Sequence, residues 1–119
     1  TTNGIYICTT FNVARVDKYF NKYKYLFDCG KNKELIDSLI LLEKLILEQF
    51  DLPTVQRTYK LKEHLHTGVI SIFNVHEHCP LYQSSGLHTL TLKISGIWIT
   101  SNTMGLTYKF LKNYPSVEK

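Results

Sequence analysis

Four of the five histidines fall in two tight pairs, His64-Leu65-His66 and His76-Glu77-His78, and Cys79 directly follows the second. Neutral imidazole and thiolate are good ligands for zinc or copper, and residues at i and i+2 share one face of a strand. The apolar stretch Val69 to Val75 lies between the pairs. Extended at about 3.3 Å per residue, it holds them roughly 20 Å apart, so a single four-ligand site requires the chain to fold back. The pairs are expected as surface histidines at strand ends, with no metal and no cofactor.

Other catalytic chemistries find less support. Neither serine nor cysteine stands in the glycine pattern of a nucleophile elbow, and the neighbours His78 and Cys79 would leave opposite sides of a strand. Gly68, Gly86, Gly96 and Gly105 are isolated, without the spacing of a phosphate-cradling loop. The ten acids scatter over the expected helices instead of forming carboxylate pairs. The chain therefore reads as non-enzymatic, with no small-molecule substrate.

His64-Leu65-His66 nevertheless resembles the His-hydrophobe-His element of rolling-circle replication nickases. The strand Ile5-Tyr6-Ile7-Cys8-Thr9-Thr10 before it and Tyr108 with Lys112 after it follow the order of that family. The resemblance implies a divalent metal held by two imidazoles beside a nucleophilic tyrosine. Tyr108 departs from it by lying in a period-two segment, and its lysine is four residues on instead of the usual three.

The basic residues point to binding. Arg15, Lys18 and Lys22 recur at three- and four-residue steps, which on a helix makes one outer stripe, with Lys24, Lys31 and Lys33 nearby. Lys60, Lys62, Lys93 and Lys109 are expected on strand faces opposite the apolar residues. Tyr19, Tyr25 and Trp98 then interleave as stacking platforms, the arrangement that single-stranded nucleic acid requires. A net charge of +4 favours acidic partners weakly.

These residues need elements to position them. Gly4 to Phe11 is rich in β-branched and aromatic residues and reads as a strand. Val13, Val16, Phe20, Tyr23 and Phe27 recur at helical steps, so a first amphipathic helix is expected from Asn12 to Gly30. Asn32 then caps a second helix, apolar around well over half its circumference, which Pro53 ends. Leu41 lies on the narrow polar side of this helix and is the residue expected to meet a partner. Beyond Pro53 the period changes to two, giving expected strands at Val55 to Lys62, Val69 to Val75, Thr89 to Thr100 and Leu106 to Leu111. The last two are joined by a hairpin loop at Ser101 to Gly105, and His76 to His88 forms an irregular connection. Leu90, Leu92 and Ile94 alternate until Gly96. A bulge at Ser95-Gly96 returns Ile97 and Ile99 to the buried side and turns Trp98 outward.

The expected architecture is α+β, an antiparallel meander of four to five strands with two N-terminal helices on one face. A chain of 119 residues makes one domain, and with no initiator methionine it reads as a piece excised from a longer protein. Three cysteines with no C-x-x-C pair favour a reducing, intracellular compartment. The longest apolar run, Leu35 to Leu47, is too short and too charged for a membrane span. The leading functional expectation is a protein-binding module, associating with another protein or with itself within a larger assembly. Single-stranded nucleic-acid binding through Arg15, Lys18, Tyr19, Lys22 and Trp98 is the first alternative and metal-dependent nicking the second.

Overall fold

Alternation with a period of two governs more of the chain than its sequence suggests. The computed structural model describes residues 4–19, 22–73 and 85–112. Within them run β1 (Ile5–Lys18), β2 (Lys22–Phe27), α1 (Lys33–Glu48), β3 (Gln56–Arg57), α2 (Lys60–His66), β4 (Val69–Phe73), β5 (Gly86–Ile99) and β6 (Thr103–Leu111). All six strands belong to one sheet in the order β3-β6-β5-β1-β2-β4.

The expected antiparallel meander with two N-terminal helices is not what forms. Strands β5, β1, β2 and β4 stand in the order of a Greek key, in which the fourth strand returns to lie beside the first. The sheet is mixed, because β3 pairs with β6 in parallel. Both helices fall between β2 and β4, not before the strands.

The predicted first helix is a β-hairpin, and the reason lies in a bulge. The β1–β2 register shifts between Val13 and Arg15. One inserted residue lets Val13 and Val16, three apart, both point into the core, a spacing that imitates a helix. Tyr23, Tyr25 and Phe27 then alternate inward as strand residues do.

Val55 to Lys62 is not the single strand its alternation predicts. Only Gln56 and Arg57 pair as a strand, and from Lys60 the chain is helical, with Leu61 and Leu65 buried one turn apart. By contrast α1 lies where its periodicity places it. Its expected cap, however, is used elsewhere. Asn32 makes no side-chain bond to the helix; its Oδ1 accepts from Asn12 N at 2.7 Å, and its Nδ2 donates to the carbonyls of Asn12 and Asp28. This amide continues the β1 ladder beyond the end of β2.

β4 and β6, parallel to each other through their shared antiparallel neighbours, approach across the far side, so the sheet rolls into an incomplete barrel. Phe11, Tyr25, Phe27, Leu90, Leu92 and Phe110 fill the interior. The ring centroid of Phe11 stands 5.0 Å from that of Phe27 and 6.2 Å from that of Phe110, within the range of favourable aromatic pairs. α2 contacts both β4 and β6, and α1 packs on α2, β1 and β6. Among the described residues no helix is long and apolar enough to cross a membrane.

Candidate functional site

The hairpin between β1 and β2 closes with Tyr19 N donating to Lys22 O at 2.8 Å. Asp17 pairs with Lys24 and Arg15 with Leu26, so Arg15, Asp17, Tyr19, Lys22 and Lys24 project from the outer face of the barrel. Tyr19 remains 47% exposed. The Nζ atoms of Lys22 and Lys24 lie 5.4 and 5.6 Å from its ring centroid, inside cation–π range. Arg15 is tied to Asp17, Nε to Oδ1 at 3.0 Å. Lys18 pairs with Tyr23 and so leaves from the opposite face, exposed at the strand end. The helical stripe of Arg15, Lys18 and Lys22 is therefore replaced by a strand-end cluster centred on Tyr19. Tyr25, the other tyrosine expected to stack, is fully buried.

A second aromatic and basic group occupies the outer face of β5 and β6. The β5–β6 register shifts between Ile94 and Gly96, which is the bulge expected at Ser95-Gly96. Beyond it Ile97 pairs with Leu106 and packs on the core, while Trp98 pairs with Gly105 on the outer side, half-buried. Ile99 returns to the inner side but lies past the end of the core and is 53% exposed. On the same outer face Lys93 pairs with both Tyr6 and Lys109, and its Nζ stands 5.7 Å from the Tyr6 ring centroid.

The outward side of α1 carries apolar residues. Leu41 is 54% and Leu45 48% exposed, one turn apart, and Phe50 is also exposed. Beside them Ile5, Ile46, Phe50, Ile94, Ile97 and Leu106 line an apolar groove of about 400 Å³.

Two residues of the nickase resemblance do meet, in a different setting. His64 Nδ1 lies 3.0 Å from the Tyr108 hydroxyl. His64 is half-buried on α2, not a surface residue at a strand end, and burial holds its pKa below 6.5. Tyr108 is pushed up to about 12, chiefly by burial, with the charges of Glu43 and Glu63 adding to it. That is opposite to what a nucleophilic phenol needs. On a helix, i and i+2 point to different sides, so exposed His66 cannot join His64 on one ion. Among the described residues no group of three His, Cys, Asp or Glu gathers, and His76, His78 and Cys79 lie outside those residues.

Glu43 escaped the sequence reading altogether. Fully buried on α1, its two carboxylate oxygens accept from the backbone N–H groups of Leu61 and Lys62, each at 3.0 Å, at the start of α2. Burial, more than any neighbour, raises its pKa above 4.5. An acid inside the apolar run of α1 is the one signal the sequence offered. The partnership of Tyr6 with Lys93 was equally hidden, since it depends on β1 pairing with β5.

No family model, no curated protein and no solved structure matches this chain.

Proposed function

We propose that the barrel is a non-catalytic module that binds single-stranded nucleic acid on its outer face. The observation that carries this reading is Tyr19, exposed at the hairpin end with two lysine ammonium groups over its ring. A base stacks on such a ring whatever its sequence, while the lysines take the flanking phosphates. The architecture lends support: apart from the two-residue β3, the sheet has five strands, and incomplete five-stranded Greek-key barrels serve elsewhere as oligonucleotide- and oligosaccharide-binding scaffolds. Architecture alone does not assign activity, so the weight rests on the side chains. Free thiols at Cys8 and Cys29 suit a reducing compartment, which the cytoplasm or nucleus provides.

The test is binding of a labelled single-stranded oligonucleotide followed by anisotropy across a salt series. Affinity should fall steeply with salt, and each of Lys22→Gln and Lys24→Gln should lower the logarithmic slope by about 0.7. Tyr19→Ala should cost about 1–3 kcal/mol of binding. No binding at low salt, or binding indifferent to all three changes, would overturn the proposal.

A second reading, association with a protein or with a second copy, rests on the exposed pair Leu41 and Leu45 and the adjoining groove. Exposed apolar surface of this kind marks interaction sites. It differs from the first in its response to salt, since apolar contact is little screened.

A further inference from the structure

We propose that Trp98 is a second base-stacking platform, with Lys93 and Lys109 taking phosphates beside it. The proposal rests on the nucleic-acid reading and extends it from the β1–β2 hairpin to the outer face of β5 and β6.

The geometry at Gly105 is the first support. A Cβ at that position would stand 2.5 Å from Trp98 Cζ2, 2.8 Å from Cε2 and 2.9 Å from Nε1. The indole therefore lies across the glycine, in the space any other residue would fill. One part of the ring is held by backbone and a part stays exposed, Trp98 being half-buried. The bulge between Ile94 and Gly96 is what re-aims this side chain from the core to the outer face.

Charge is the second support. Among the described residues Tyr6, Lys93, Thr107, Lys109 and Trp98 stand in register on this face, two cations and no carboxylate among them, while Thr91 beside them is buried. Gly105 and Lys109 are four residues apart on β6, about 13 Å at the usual rise, so ring and ammonium groups lie along one track. Lysines next to a partly exposed indole complement a polyanion with exposed bases. A neutral glycan would also stack on the ring but gains nothing from the cations.

Trp98 is the only tryptophan in the chain, so its emission reports this site alone. The experiment titrates the whole protein with an oligodeoxythymidylate of about 15 nucleotides, a length within the usual range of such sites. Anisotropy of the labelled oligonucleotide and emission of Trp98 are read together. Quenching that tracks binding is expected, with Trp98→Ala weakening affinity roughly 5- to 150-fold and Trp98→Phe restoring most of it. Lys93→Gln with Lys109→Gln should lower the salt slope by about 1.4. Circular dichroism checks that each variant is folded. Should Trp98→Ala not fold, the quench in the unaltered protein and the lysine variants still decide.

Binding without quenching, and unaltered in the Trp98 and lysine variants, would overturn this inference and leave the hairpin reading standing. No binding at all would remove both. Quenching by a neutral hexasaccharide but not by the oligonucleotide would make the face a glycan site and overturn the proposal.

Discussion

The imidazole of His64 and the hydroxyl of Tyr108 are 3.0 Å apart, and this contact fastens α2 across the gap between β4 and β6. α2 also packs on β4, so the helix spans both strands that would otherwise complete the barrel. Tyr108 extends the chain of contacts, its hydroxyl donating weakly to Lys60 O at 3.4 Å. The packing of α2 thus stands in for a missing ladder.

Tyr108→Phe should destabilise the fold by about 1 kcal/mol, the usual net value of one such hydrogen bond. Urea unfolding of the two proteins measures it. A change near zero would mean that the hydroxyl fastens nothing.

His64 gives the contact a pH dependence. Its pKa in the fold lies below the unfolded 6.5, because burial disfavours the charged ring. The stability it contributes is therefore present above pH 6.5 and is lost as pH falls toward the folded value. His64→Phe should flatten the acid limb of stability between pH 7 and 5, measured by denaturant midpoints. An unchanged limb would place the proton uptake at another residue.

Glu43 acts with the opposite sign. Its folded pKa is raised above 4.5 by burial, so the stability it contributes is present below 4.5 and declines as pH rises through the folded value. Glu43→Gln removes that decline but keeps one acceptor oxygen, so one of the two backbone donors loses its partner. Glu43→Ala, which strands two buried backbone donors, should cost about 2–4 kcal/mol. Melts of the three proteins at pH 4 and 7 separate the charge from the hydrogen bonds.

Asn32→Ala should cost about 1–3 kcal/mol, since three hydrogen bonds of a nearly buried amide end at once. Asn32→Asp should fare no better, because a carboxylate would face two carbonyls. An aspartate variant as stable as the parent would show that only the bond from Asn12 N matters.

Leu41→Glu should leave stability within about 0.5 kcal/mol, as for an exposed site. Sedimentation over a concentration series then tests the second functional reading. Association lost in Leu41→Glu and in Leu45→Glu supports it, and a parent chain that is monomeric throughout removes self-association.

What the sequence disclosed depended on how local the cause was. The strand of Leu90, Leu92 and Ile94, the bulge at Ser95-Gly96 and helix α1 all follow from neighbours within a few residues. The hairpin of β1 and β2 was misread because a bulge after Val13 turns a two-residue period into a three-residue one. α2 was misread because it is seven residues long and starts where Glu43, 18 residues earlier, receives it. The same division holds for the site. Tyr19, Lys22 and Trp98 were recognisable by type, but the lysines over the Tyr19 ring and the glycine beneath Trp98 arise from strand pairing.

The side-chain oxygen of Thr9 donates to Leu90 O, 81 residues along the chain, inside the longest ladder of the barrel. At a synthesis rate of about 5–20 residues per second, β1 leaves the ribosome roughly 4–16 s before its partner exists. Meanwhile it offers an unpaired edge carrying Ile5, Ile7 and Phe11, a template for unwanted pairing. Such distant pairing also makes spontaneous folding slow compared with a helical protein of equal stability. The yield of folded chains should therefore depend on temperature and on the rate of translation more than on the final stability of the barrel.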